Sequence, residues 1–135
     1  MVMSVRCGYN RSVISFRVDG LPVPQGSMRV FNGHVVHNKG AELAVWRSAI
    51  AIEARRAGCT PEPGAVRLDL LFSMPKPKTV KRLAPTVAPD LDKLIRAVLD
   101  SMTAVAYLDD GQVTEINAIK VYGTAPFLEV GLYRS

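Results

Sequence analysis

The sequence predicts an α+β fold: two main helices packed on a mixed, mostly antiparallel sheet. Three observations predict it. Short runs alternate apolar and polar residues, two longer runs place apolar residues at three- and four-residue steps, and turn residues separate them in the order β, ββ, α, β, α, β, β. The chain has 135 residues, 48% of them hydrophobic, which is enough for one core. Residues 1–135 are expected to form one domain, with 1–11 flexible and 75–89 a basic loop.

In "SVISFRV", Ile14, Phe16 and Val18 share one face and Ser15 and Arg17 the other, the pattern of a half-buried strand. "DGLPVPQGS" follows as a loop set by two prolines and two glycines. In "RVFNGHVVH", Asn32-Gly33 is a type I′ turn signal between β-prone runs and predicts a hairpin. Asn38 is placed to cap the next helix, where Leu43, Trp46, Ile50, Ala54 and Ala57 make one buried stripe that Gly58 ends. Trp46 therefore reads as core and not as a base-stacking platform. "AVRLDLLFSMP" is a strand with Val66, Leu68, Leu70 and Phe72 inward. "KPKTVKRLAPTVAP" holds three prolines and no helical period, hence a loop. A second helix starts near Asp90 and buries Leu91, Leu94, Ile95, Val98 and Met102. After the "LDDGQ" turn, "VTEINAIKVY" and "FLEVGLY" form two strands joined at "GTAP".

Composition excludes several classes. No apolar run is long enough to span a membrane, and the N-terminus does not read as a signal peptide, so a cytoplasmic protein is expected. Cys7 and Cys59 lack zinc-site spacing and a recognisable His partner, and read as free thiols. His34 and His37, three apart in a strand, face opposite sides and make a poor metal pair. The net charge is +5, but it is unevenly spread. Residues 1–82 carry 13 Lys+Arg against 5 Asp+Glu, a balance of +8, while residues 83–135 carry 4 against 7, a balance of −3. The basic part suits phosphates, and Lys76, Lys78, Lys81 and Arg82 lie close together in the proline loop, as a DNA grip or a solvated face.

The acidic part is concentrated: Asp90, Asp92, Asp100, Asp109 and Asp110. Taken singly, each has a structural explanation. Asp is a preferred N-cap and first-turn residue, Asp92, Arg96 and Asp100 can form an ion-pair ladder, and Asp109-Asp110-Gly111 is an ordinary turn. Inside a regular helix Asp90 and Asp92 would point about 200° apart, since each residue turns about 100°. With Pro89 forcing a non-helical entry, Asp90 sits at the cap and the pair can converge. A carboxylate at 109 or 110 joins them only if the following strand runs beside the helix start. Three such oxygens without His or Cys suit Mg2+ or Mn2+.

"APDLDKLIRAVLDSM" followed by "AYLDDGQVTEINAIKVY" closely resembles the RusA family of Holliday-junction resolvases. The resemblance covers residues 88–122, and "GLPVPQGS" and the Trp46 helix look like the family's N-terminal half, less specifically. It implies a homodimeric, Mg2+-dependent endonuclease that nicks four-way DNA junctions symmetrically, of a type often carried by phages and prophages. It also implies that Asp90, Asp92 and Asp110 are the metal ligands, with Asp109 beside them. Arg96 stands where the family has a helix lysine. Arginine keeps the positive charge but cannot give up a proton near neutral pH, so phosphate holding survives and general-acid chemistry does not. Lys93 stands where many members have Asn, and Lys120 matches a strand lysine expected to contact DNA. Gln112 and Glu115 follow the turn, one expected to orient a ligand and the other to be structural; Asp69 has a lesser claim to such a role.

Two other classes compete. A basic, non-catalytic DNA-binding or architectural module would use these acids only as caps. A D-x-D phosphotransferase or nucleotide-sugar enzyme usually needs a Gly-rich phosphate loop, which is missing here.

Overall fold

The structure, a computed structural model, describes residues 12–26, 28–31, 34–37 and 40–135. Its elements are β1 (Ser12–Asp19), β2 (Met28–Phe31), β3 (His34–His37), α1 (Gly40–Arg56), β4 (Val66–Pro75), α2 (Leu91–Met102), β5 (Val113–Gly123) and β6 (Phe127–Arg134). The main sheet runs β1-β6-β4-β5, and β2 and β3 pair antiparallel as a separate ribbon. The predicted Asn32-Gly33 turn, the Asn38 cap and Cys7 lie outside the described residues.

The sheet is mixed because β4, α2 and β5 form a crossover unit, so β4 and β5 run parallel, while β6 is antiparallel to both β1 and β4. The two strands joined at "GTAP" are therefore not a hairpin: β4 lies between them, and the link passes over its end. Ser73 Oγ donates to Ala125 O at 2.7 Å there. A Cβ at Gly123 would overlap that hydroxyl oxygen, so a larger residue there would push Ser73 off its hydrogen bond to Ala125 O.

The alternation in each strand selects one face for the core. Val18, Leu68, Leu70, Phe72, Leu128, Val130 and Leu132 are buried, with Ile116 and Ala118 packed beside them. Trp46, Ile50 and Ala54 of α1 and Leu94, Val98 and Met102 of α2 complete it, as their spacing predicts. Leu91, Ile95 and Leu43 are only partly buried and pack at its margin. Each large buried apolar side chain contributes about 1.5–3 kcal/mol; Leu94→Ala would cost about 2–5 kcal/mol through lost burial plus a cavity. Gly58, at φ +99, ends α1 in a conformation that costs glycine little.

Among the described residues no helix covers the other face of the sheet. Val13 and Ile119 are each 57% exposed there. Arg17 stacks over Phe127 and Arg67 over Tyr133, and Asp69 accepts hydrogen bonds from Arg67 (2.7 Å) and Asn117 (3.2 Å). Burial pushes the Asp69 carboxyl up, but the Arg67 and Asn117 hydrogen bonds outweigh it and hold the group below its ordinary value. A shallow concavity of about 600 Å3 on this face is lined by Arg17, Asp69, Asn117 and Glu129, well away from the α2 acids. No helix is long and apolar enough to cross a membrane among the described residues.

Candidate active site

Pro89 breaks the chain before α2, and its peptide with Ala88 is cis. Asp90 follows in extended conformation (φ −70, ψ 140) at the N-cap position. Its side chain makes no cap hydrogen bond, which is the role that would have explained it structurally. The carboxylate is instead exposed, with Lys93 Nζ at 3.7 Å. Asp92 lies one residue into the first turn and is also exposed. The partial positive charge of the helix start favours both anions.

Lys120 and Tyr122 of β5 flank the proline loop that leads into α2. Lys120 Nζ donates to Val87 O and Pro89 O, both at 2.8 Å, and so fixes the backbone that delivers Asp90. Expected as a DNA contact, it acts here as a brace on the loop. Tyr122, two residues on and on the same face of β5, accepts from Arg82 Nε at 2.9 Å and has Lys76 Nζ 5.8 Å from its ring. A cavity of about 200 Å3 opens between the proline loop and the ends of β4 and β5, lined by Met74, Arg82, Pro89, Lys120 and Tyr122. Lys78 and Lys81 are exposed on the same loop. Tyr122 is absent from the candidates that the sequence suggests, although its place at i+2 from Lys120 is a usable signal.

The Asp109-Asp110 turn divides its two acids. Asp109 caps a short 3-10 turn, accepting from Gly111 N at 3.3 Å within a capping box. Gln112 Oε1 accepts from Leu108 N (2.7 Å) and Asp109 N (3.0 Å), and Gln112 Nε2 donates to Glu62 O and Gly64 O, both at 2.8 Å. Gln112 thus holds the acidic turn through backbone groups, while Glu115 points to Arg67 (3.8 Å) on the open face. Asp110 is exposed. Burial pushes the Tyr107 hydroxyl up, and the Asp110 charge adds to that shift.

The convergence expected of Asp90, Asp92 and Asp110 does not occur within one chain. α2 has 12 residues, about 18 Å at a rise of about 1.5 Å each. Asp90 stands at its start beside Lys120, whereas Asp110 follows its far end, beside the Val66–Val113 pair that opens β4 and β5. From Val113 to Lys120 β5 rises roughly 23 Å at about 3.3 Å per residue. The physical reason is topological: in a β-α-β crossover the helix runs antiparallel to its strands, so the strand after the helix begins where the helix ends. Among the described residues no three His, Cys, Asp or Glu are grouped to hold a metal ion. The ladder drawn through Asp92, Arg96 and Asp100 does not form either. Asp100 accepts from Gln25 Nε2, whose backbone N donates to Lys93 O, and Arg96 is exposed with no ion pair among the described residues.

The pair at Asp90 and Asp92 fits part of a Mg2+ shell, since that ion commonly takes one or two carboxylates and fills the rest with water and phosphate oxygens. The three-carboxylate set does not close in one chain.

A family model described as Endodeoxyribonuclease RusA matches residues 19–133. The chain is also 31% identical over 134 residues to the Bacillus subtilis (strain 168) protein named "Uncharacterized protein YqaN", covering 87% of this chain and 93% of that one.

Proposed function

The chain belongs to the RusA endodeoxyribonuclease family, whose members are nucleases acting on Holliday junctions, and from that premise we propose a Mg2+-dependent endonuclease that resolves four-way DNA junctions by paired symmetric nicks. Mn2+ is the natural substitute ion. The protein acts as a homodimer, in the cytoplasm, and leaves 5′-phosphate and 3′-hydroxyl ends.

One observation supports this reading above the others: Asp90 occupies a cap position without capping. A carboxylate that does not cap, two residues from a second exposed one and 3.7 Å from Lys93 Nζ, is an arrangement that a purely structural helix start does not need. Asp90 and Asp92 would hold the ion. A bound Mg2+ supplies a Lewis acid for the scissile phosphate and a more acidic water. This chain's residues do the rest. Lys120 fixes the approach of Asp90 through two backbone carbonyls. Arg82, oriented by Tyr122, and Lys76, Lys78 and Lys81 neutralise backbone phosphates. Lys93 and Arg96 offset the mutual repulsion of the two acids and the phosphate.

A labelled four-way junction incubated with Mg2+ tests this. The wild type is expected to nick opposing strands; Asp92→Asn is expected to bind and not cut. Equal junction binding with and without Mg2+, and no cleavage by the wild type, would make the protein an architectural module instead.

A further inference from the structure

We propose that Gln25, paired with Asp100, is a positioning residue for the acidic helix start: it straps α2 from the β1–β2 loop and holds the turn that carries Asp92. This rests on the nuclease reading for the role of Asp90 and Asp92, and deepens it by naming what keeps them in place.

The start of α2 lacks a fastening of its own. Asp90 makes no side-chain cap hydrogen bond, and an uncapped helix end frays because its first N–H groups have no partner. Lys120 fixes the chain ahead of Asp90, through Val87 O and Pro89 O, and not the helical turn itself. Gln25 supplies that hold. Its backbone N donates to Lys93 O at 3.0 Å, directly after Asp92, and its side-chain Nε2 donates to Asp100 Oδ2. From Lys93 to Asp100 the helix turns about 700°, within about 20° of two full turns. Both anchor points therefore lie on one face, and the Asp100 side chain leans back toward the helix start. One residue spans two turns.

The segment that carries Gln25 is stiff. Pro22 and Pro24 fix their own backbone angles. Gly20 N donates to Pro126 O at 3.1 Å, and Val23 is buried in the core. Leu21 lines the same cavity as Pro89 and Lys120, so this loop and the Lys120 brace meet at the entry to α2. The strap is also not the most stable choice for its place. Gln25 Oε1 is buried with no hydrogen-bond partner among the described residues. A stranded acceptor costs stability, and an apolar pair in both places would be nearly neutral. That cost points to positioning and not to packing. Asp100 itself stands about 15 Å along the helix from Asp90, too far to share an ion with it, so the strap accounts for the aspartate that the acidic site leaves over.

Three variants test the proposal: Gln25→Met; Gln25→Met with Asp100→Leu; and a reversed pair, Gln25→Glu with Asp100→Asn, in which the new carboxylate accepts from the new amide. Mn2+ binding is read by electron paramagnetic resonance, and cleavage of a bound junction in a single turnover. Amide exchange at Leu94, whose N–H donates to Asp90 O, is followed by NMR in the metal-free protein. The first two variants are expected to lose about 10–100-fold in Mn2+ affinity and in single-turnover rate, the scale for removing a group that orients metal ligands. Exchange at Leu94 should quicken in both, while the urea midpoint of the apolar pair stays near wild type. The reversed pair should recover all three. Wild-type Mn2+ affinity, rate and Leu94 exchange in the apolar pair would overturn the proposal. So would losses that persist in a folded reversed pair. A wild type that neither cuts nor binds Mn2+ would instead remove the nuclease reading, and Leu94 exchange would still decide whether Gln25 holds the turn.

Discussion

The two ends of α2 are built on opposite plans. At its C-terminal end nearly every polar group is used locally. Thr103 Oγ1 and Tyr107 Oη both donate to Leu99 O, at 3.0 and 2.8 Å, and Ala104 N donates to Tyr107 O at 2.7 Å. Gln112 then anchors the following turn through four backbone groups. At the N-terminal end an ideal capping residue stands in the cap position and does not cap. The comparison teaches that a turn satisfied by its own hydrogen bonds presents a side chain rigidly, whereas an exposed carboxylate pair with no cap bond and one ion pair to Lys93 stays open to something outside the chain. It also separates Asp109, which belongs to the first plan, from Asp110, which does not.

The largest expected effect that distinguishes the ends is on activity. Asp92→Asn should lower junction cleavage by on the order of 100-fold or more, the scale of losing one electrostatic element of a phosphoryl site. Its urea midpoint should stay near wild type, because the side chain is exposed. A gel-based nicking assay beside urea unfolding measures both. At the other end the balance reverses. Gln112→Ala removes four exposed hydrogen bonds to backbone groups, which water partly replaces, and should cost about 0.5–1.5 kcal/mol in stability, read from the urea midpoint. Its effect on cleavage should follow from a loosened Asp110.

Smaller effects sharpen the contrast. Replacing Lys76 and Arg82 by Gln should reduce the slope of log K against log salt by about 0.9 for each phosphate that is no longer neutralised, seen by fluorescence anisotropy with a junction at several salt concentrations. Asp69→Asn should destabilise at neutral pH. Asp69 has a folded pKa below its ordinary value, so its contribution is present above about pH 4 and is lost as pH falls through the depressed value. The gap between variant and wild type should therefore narrow as pH falls below the ordinary carboxyl value, as measured by unfolding midpoints across pH. Asp90→Ala should change stability least, within about 0.5 kcal/mol, since no cap hydrogen bond is lost. A loss as large as that of an ordinary N-cap would show that the carboxylate does cap in solution.

Much of this is readable from sequence, for identifiable reasons. Alternation in 12–18 and 66–72 and the apolar stripes of both helices decide burial, because a strand or helix with one apolar face has only one way to bury it. The cap position of Asp90 follows from Pro89. Other features depend on distances between remote residues. The order of the strands places β4 between the two that "GTAP" joins, and no local pattern reports it. The separation of Asp90 from Asp110 is also a matter of topology: spacing along the chain says that a helix lies between them, but only the parallel β4–β5 pairing says that the returning strand begins at the far end. Lys120 stands out by its motif, yet its hydrogen bonds run to Val87 and Pro89, which only folding brings near.

Cleavage of a labelled four-way junction by the wild type and by Asp92→Asn, with Mg2+ and with EDTA, tests the central claim most directly. Paired nicks on opposing strands, lost in EDTA and lost in the variant while binding persists, are the predicted result. Cutting by Asp92→Asn at the wild-type rate, or cutting indifferent to EDTA, would contradict it.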